Sequence, residues 1–241
     1  METKEKLTPR EWLENIWYHY KWVIIVGALL IVFVSVSLYQ CGTNGKPDVN
    51  ILHVGPFYIS PEAADEMEIT MSKLAGDYNE DGKFNLDVLD ITINKFGNES
   101  AGVDVTNYDI QQSGYTRFQT EIRAGDAVIY LLDEEYFKMC VAEGLLVPLE
   151  NVVDDAYLPE KVIDGYGVYL SDLDAYELPG LSSVPSTAIL CLRRMPKEGE
   201  TNYKNLSKVW DGNCKAFVNI FKYESTAENK QNSEETSDVS Q

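Results

Sequence analysis

The longest apolar run lies near the N-terminus, where Trp22 to Tyr39 reads WVIIVGALLIVFVSVSLY without a charge. As a helix it spans about 27 Å, close to the hydrocarbon thickness of a bilayer. The pattern predicts a transmembrane helix over residues 22–39. A secretory signal peptide is the alternative, but small residues should precede its cleavage point, and Leu38, Tyr39 and Gln40 stand there. The same bulky residues suit no lipidation box before Cys41, so the run reads as an uncleaved signal anchor. Upstream, Thr8-Pro9-Arg10-Glu11 has the form of a capping box with proline at the first helical position. Leu13, Ile16, Trp17 and Tyr20 follow at helical spacing, predicting an amphipathic juxtamembrane segment over residues 1–21 with Trp12, Trp17, Tyr18, Tyr20 and Trp22 as interfacial anchors.

Residues 40–48 read as a Gly/Asn/Pro linker, and beyond it the periodicity alternates between two and three to four. Val49 to Val54 is a strand ended by Gly55-Pro56. Ser60-Pro61-Glu62 opens a helix carrying Ala64, Met67, Met71 and Leu74 on one face. Phe84 to Ile93 alternates as a strand, with a slip at Val88-Leu89 that suggests a bulge. Asn94 to Gly114 shows little pattern and is expected to be a surface loop. A helix from Tyr115 to Ala124 follows, then the apolar run Ala127 to Leu132, which suits a strand buried on both faces. Asp133 is placed to cap the next helix, ending near Gly144. Thr187 to Leu192 is another buried strand, and Tyr203 to Phe221 a last helix with Asp211-Gly212-Asn213 as an expected break. The succession predicts one α/β domain over residues 49–223, a mostly parallel sheet covered by helices.

Charge adds an orientation. Residues 1–21 carry Lys4, Lys6, Arg10 and Lys21, against Lys46 alone in roughly the first twenty residues after the span, which predicts a cytoplasmic N-terminus and an extracellular domain in a single-pass protein of the cell membrane. Four acids cancel those cations, so the net charge of −19 falls beyond the membrane segment. Such a domain repels phosphate backbones, excludes nucleic acid as a partner, and accommodates cations or basic partners. Residues 224–241 hold five acids, one lysine and no aromatic residue, the composition of a disordered tail. Cys41, Cys140, Cys191 and Cys214 lack paired spacing and read as core thiols, with a bridge among the last three left open.

At residues 117–153, RFQTEIRAGDAVIYLLDEEYFKMCVAEGLLVPLENVV, the chain resembles part of the extracellular solute-binding proteins that serve ABC importers. In that family a helix ends in glycine, an aspartate-bearing turn enters a buried strand, and a helix leaves through a Gly-Leu-Leu-x-x-Leu step. The resemblance implies a single lobe of such a protein, since the two lobes that close on a ligand need a longer chain. The Tyr-Lys-Trp entry to the membrane helix and the acidic outer domain also resemble membrane-anchored proteins of clostridial type.

The sharpest chemical motif is Asp77-Tyr78-Asn79-Glu80-Asp81-Gly82-Lys83, whose D-x-N-x-D-G spacing sets oxygen ligands at alternate positions and a glycine at the sharp turn. Asp77, Asn79 and Asp81 are therefore candidate ligands of a structural calcium ion, with Asp87 or Asp90 completing the set, because Val88 stands where an EF-hand has its bidentate acid. The alternative is an Asp-Gly turn between helix and strand. Catalysis has less to build on: His19 and His53 are the only histidines, neither gains a partner from sequence, and no G-x-S-x-G occurs. Acid pairs such as Asp154-Asp155, or Asp172 with Asp174, read as solvated surface. Tyr166, Tyr169 and Tyr176 with Pro179-Gly180 either line a cleft or pack a loop against the sheet. The pattern favours a non-enzymatic binding or sensing module for a small molecule; the alternative is a structural component binding an envelope protein.

Overall fold

The computed structural model describes residues 9–43, 46–93 and 108–224. The chain divides into two compact units, Met1–Gly45 and Lys46–Gln241. The first contains helix α1 (Pro9–Thr43), opened by a proline whose missing N–H has no partner to lose at that position. The helix is unbroken, so the expected juxtamembrane segment and the apolar run are continuous, and residues 40–43 of the expected linker prolong it. Within it Trp17–Ser37 has a mean hydropathy of 2.1 and none of it is buried inside the protein, unlike the core helix of a soluble domain. Among the described residues this is the one helix long and apolar enough to cross a membrane, compatible with a single-pass anchor or a signal peptide.

The second unit is mixed α/β. Strand β1 (Val49–Gly55) is buried along its whole length and pairs in parallel with β2 (Leu86–Thr92) on one side and β3 (Ile129–Leu132) on the other. Two further strands, β4 (Gly167–Tyr169) and β5 (Ile189–Leu192), complete a five-stranded sheet of order β2-β1-β3-β5-β4. The expectation of a mostly parallel sheet holds at the core; β5 runs antiparallel to both β3 and β4. The reason is connection chemistry. Parallel neighbours need a long crossover, usually a helix, whereas between β4 and β5 the chain makes only short 3-10 turns and can return only antiparallel.

Helices α2 (Pro61–Leu74) and α5 (Tyr203–Lys222) cover one face, where Met67, Met71, Leu206, Phe217 and Ile220 join Val49, Ile51, Leu131 and Leu190. Helices α3 (Tyr108–Ala124) and α4 (Glu134–Ala142) cover the other, where Phe118, Ile122, Phe137 and Cys140 join Leu52, Val54, Tyr130 and Leu132. Ser60 caps α2, accepting from the Ala63 N–H at 3.2 Å, and Asp133 caps α4, accepting from the Glu134 N–H at 2.6 Å. Both caps sit where the residue types predicted them.

Three sequence expectations change. The slip at Val88-Leu89 is no bulge: every residue from Leu86 to Thr92 keeps register with β1, and both apolar series are used because β2 has cover on each face. The loop expected to run to Gly114 ends earlier, since α3 already begins at Tyr108; its polar first turns carry no apolar stripe to announce a helix. Residues 94–107 of that loop, and the tail from 225 onward, lie outside the described residues. Finally, Asp211-Gly212-Asn213 does not split α5. Gly212 is there for contact, since a Cβ on it would sit 2.9 Å from the Tyr78 side chain, and Asn213 turns its amide to β1.

The tyrosine cluster resolves as loop packing. Tyr176 donates its hydroxyl to the Val184 carbonyl at 2.9 Å, and the Thr70 hydroxyl of α2 donates to the Pro179 carbonyl at 2.8 Å. Gly180, at φ 78°, rides so close on α2 that a Cβ would stand 2.2 Å from the Met67 nitrogen. Tyr166 and Tyr169 pack against the second core cluster. Cys140, Cys191 and Cys214 are free thiols.

Candidate functional site

The calcium-type motif forms a loop between α2 and β2 that closes on its own backbone. Asp77 accepts from the Asp81 N–H at 3.2 Å and from the Gly82 N–H at 2.7 Å. Asn79 Oδ1 accepts from the Asp81 N–H at 2.9 Å, and Asp81 from the Lys83 N–H at 3.0 Å. Gly82 adopts φ 83°, the left-handed turn that favours glycine. The three predicted residues are thus brought into one short loop. Asp87 and Asp90 are not part of it, lying along β2. Among the described residues no group of three or more His, Cys, Asp or Glu side chains is arranged to hold a metal ion, and this loop offers two carboxylates and an amide.

What fixes the loop is a residue the sequence did not single out. Asp48, only 3% exposed, accepts from the Asn79 N–H at 3.0 Å through one oxygen and from the Asn85 N–H at 2.9 Å through the other. The start of β1 is held from the opposite direction by Asn213 of α5, which accepts from the Asn50 N–H at 2.8 Å and donates to the Asp48 carbonyl at 3.1 Å.

The other end of β1 carries the more reactive arrangement. His53, 2% exposed, meets Asp90 of the neighbouring strand, its Nδ1 standing 2.5 Å from Asp90 Oδ1. The Thr92 hydroxyl donates to Asp90 Oδ2 at 3.1 Å. A carboxylate only accepts, so in the neutral imidazole it selects the tautomer with the hydrogen on Nδ1, in which Nε2 is the acceptor. Among the described residues Nε2 has no hydrogen-bond partner. It faces Gly55, where a Cβ would lie 3.5 Å from Nε2 and 3.8 Å from the Asp133 Cβ. The lack of a side chain at Gly55 leaves a methyl-sized gap between the imidazole and the Asp133 Cβ.

Topology gives that gap its meaning. The chain leaves β1 for β2 on one side and returns past it to β3 on the other, with α2 and α3 on opposite faces. Connections therefore diverge at the carboxyl ends of β1 and β3, the place where open α/β sheets form a crevice and bind ligands. Gly55 ends β1, Asp133 follows β3, and Phe57 and Tyr58, 52% and 66% exposed, stand in the loop after β1. Sequence reading saw His53 in a strand but not its partner, because Asp90 is 37 residues away and becomes its neighbour only through the β1–β2 register.

At the opposite end, two open hollows of about 390 and 570 Å³ flank the segment between β5 and α5. The first touches Arg193, whose guanidinium is 4% exposed and already donates to the carbonyls of Gly125 and Ile122 at the end of α3, at 2.9 and 2.8 Å. Its neighbour Arg194 is held by both Glu200 oxygens, which keeps the Glu200 carboxyl down at about 2. These cations are engaged in the fold. Burial pushes the Cys140 thiol up to about 12 and the Cys191 thiol well above its ordinary value, so neither supplies a thiolate near neutral pH.

No known family, curated protein or solved structure matches the chain. The functional reading therefore rests on geometry. Removing one partner of the His53–Asp90 pair strands the other. Asp90→Ala should lower unfolding stability by roughly 1–3 kcal/mol, and the double change His53→Leu with Asp90→Val should cost less than the sum of the two single changes, measured by denaturant melts.

Proposed function

We propose that the chain is a membrane-anchored extracytoplasmic binding or sensing module, non-enzymatic, that takes a small ligand at the carboxyl ends of β1 and β3. The observation that carries this reading is the His53–Asp90 pair, which aims an imidazole acceptor at the gap over Gly55 where the strand connections diverge. A buried polar pair of this kind is costly to assemble, and a fold that needed only stability would fill the position with an apolar side chain. The apolar α1 supports anchoring, and the Lys/Arg bias before it supports a cytoplasmic N-terminus with the domain outside the cell. Kinship with one lobe of a solute-binding protein is part of this reading and rests on the residue pattern at 117–153.

Gly55 gives the reading a clean test. Alanine there makes only ordinary contacts, so Gly55→Ala should melt within about 1 kcal/mol of the parent while its methyl group fills the gap. A small-molecule thermal-shift screen of the full chain in detergent should find a stabilising ligand by mass action, and Gly55→Ala should reduce its effect. A stabilising ligand indifferent to Gly55→Ala would move the site elsewhere, and a screen without any hit would favour an envelope protein as partner.

For the loop at residues 77–83 we propose a low-affinity structural calcium ion on Asp77, Asn79 and Asp81. Support comes from the D-x-N-x-D-G spacing and from Gly82 in the left-handed conformation at the turn. Extracellular sites can be as weak as about 10⁻⁴ to 10⁻³ M and still fill in their compartment. Millimolar calcium should raise the melting temperature relative to chelator at fixed ionic strength, and Asp77→Ala with Asp81→Ala should abolish the difference. Equal melts would reduce the motif to a turn.

A further inference from the structure

We infer that the hollow at the end of α3 is a second binding site, for a small organic monocarboxylate held by Arg193 and Arg123. It lies at the opposite end of the sheet from the β1–β3 crevice and does not depend on it. Its walls come from three connections: Ile122 and Arg123 at the end of α3, Leu145 after α4, and Arg193, Pro196 and Thr201 after β5. At about 390 Å³ it falls within the range of small-molecule sites, roughly 300–1,000 Å³.

Arg193 carries the argument. It is 4% exposed, and a guanidinium so enclosed is normally balanced by a carboxylate. Among the described residues it forms no ion pair; its partners are the neutral carbonyls of Glu121, Ile122, Gly125 and Ala127. Three of those contacts fall on Nη1 and one on Nη2. The terminal nitrogens thus hold the fold, while Nε has no acceptor and Nη2 has one for its two hydrogens. Nε and Nη2 form the side edge of the guanidinium, which matches the two oxygens of a carboxylate. The fully enclosed side-chain atoms without a partner among the described residues are Asn50 Oδ1 and Tyr130 Oη, so Nε keeps contact with solvent, and the hollow is where Arg193 meets it.

The surroundings leave that charge unbalanced. Glu121 lies within electrostatic reach, but its Oε1 accepts from the Ala127 N–H at 3.3 Å, and burial raises its carboxyl above the ordinary value. The negative end of the α3 dipole offsets about half a charge. Glu200 is taken by both terminal nitrogens of Arg194, so that pair is neutral. Arg123, in the last turn of α3, is exposed and has no partner among the described residues. Two guanidinium charges therefore border one hollow in a chain whose net charge is −19. That contrast selects the ligand's charge: a monoanion gains from both arginines, whereas a dianion such as a phosphate doubles the repulsion from Glu200 and the rest of the chain. Ile122, Leu145 and Pro196 add apolar wall for a carbon body, which an inorganic anion lacks.

The test is calorimetric titration of the full chain in zwitterionic nanodiscs with benzoate and hexanoate, one aromatic and one aliphatic carboxylate, at fixed ionic strength. Benzyl alcohol, benzylamine and phenyl phosphate serve as neutral, cationic and dianionic counterparts. Arg123→Gln removes one charge, Thr201→Trp fills the hollow from an exposed position on its wall, and Arg117→Gln removes the same charge from elsewhere on α3. Arg193→Lys keeps the buried charge but loses the side edge, and its melt is recorded beside its titration. The inference expects saturable binding of at least one carboxylate, tighter than that of the counterparts by roughly tenfold or more, as hydrogen bonds between charged groups imply. Affinity should fall by a similar factor in Arg123→Gln and Thr201→Trp and hold in Arg117→Gln and Gly55→Ala. Arg193→Lys should lose binding while melting with the parent; if it melts early, Arg123→Gln and Thr201→Trp decide. Binding that falls in Gly55→Ala and persists in Thr201→Trp would place the carboxylate in the β1–β3 crevice, overturning this site and supporting the reading above. Preference for phenyl phosphate would overturn the monocarboxylate. Equal weakening by Arg117→Gln and Arg123→Gln would show only diffuse attraction between charges and overturn the site. No saturable binding of either carboxylate would overturn the inference and leave the crevice untouched.

Discussion

A strand paired on both sides and covered on both faces leaves its polar side chains no water to bond with, and β1 is such a strand. Its seven residues are buried, yet the sequence places Asn50 and His53 within it and Asp48 just before it. An unpaired polar group in such surroundings costs on the order of 1–3 kcal/mol, a large share of the net stability of a domain. Each of these residues therefore draws a partner from a distant part of the chain. Asp48 takes two backbone N–H groups of the loop before β2, the Asn50 amide donates to the Asp126 carbonyl while Asn213 takes the Asn50 backbone N–H, and Asp90 closes on His53. One amide oxygen of Asn50 has no partner among the described residues.

These pairings divide the strand by purpose. At its amino end Asp48 and Asn213 spend their hydrogen bonds on backbone groups and fasten the loop 77–85 and α5 to the sheet, with the Asn50 amide oxygen left over. At its carboxyl end the network is open, because the imidazole has two nitrogens and Asp90 uses one. The end that stays open is the one at which the sheet's connections diverge, with Gly55 supplying space beside the second nitrogen. Arg193, at the far end of β5, shows the contrast: a buried charged group whose two terminal nitrogens donate to carbonyls of α3 and the turn after it.

Elements with a strong local signal were legible from the residues. The apolar α1, the caps Ser60 and Asp133, and the runs that became β1, β3 and β5 all carry their own periodicity or capping chemistry. Features that depend on a neighbour were not. The three-residue β4 is too short to show a period, the polar start of α3 has no apolar stripe, and the direction of β5 follows from the absence of a crossover helix. Asp211-Gly212-Asn213 looked like a break because glycine and asparagine usually serve turns, whereas here one admits Tyr78 and the other bonds β1. The candidate site was legible only in part. Asp77, Asn79 and Asp81 announce themselves by spacing, but His53 and Asp90 sit in separate strands, and nothing short of the parallel register joins them.

The claim on which the functional account depends is that Asp90 holds the hydrogen of His53 on Nδ1 and so keeps Nε2 as an open acceptor. The chain has only two histidines, so selective ¹⁵N-histidine labelling in nanodiscs gives two imidazoles to assign, with His53→Gln identifying the one in β1. The account predicts that neutral His53 shows a protonated Nδ1 and an unprotonated Nε2, and that Asp90→Ala shifts this balance. A neutral His53 with its hydrogen on Nε2, unchanged by Asp90→Ala, would contradict it.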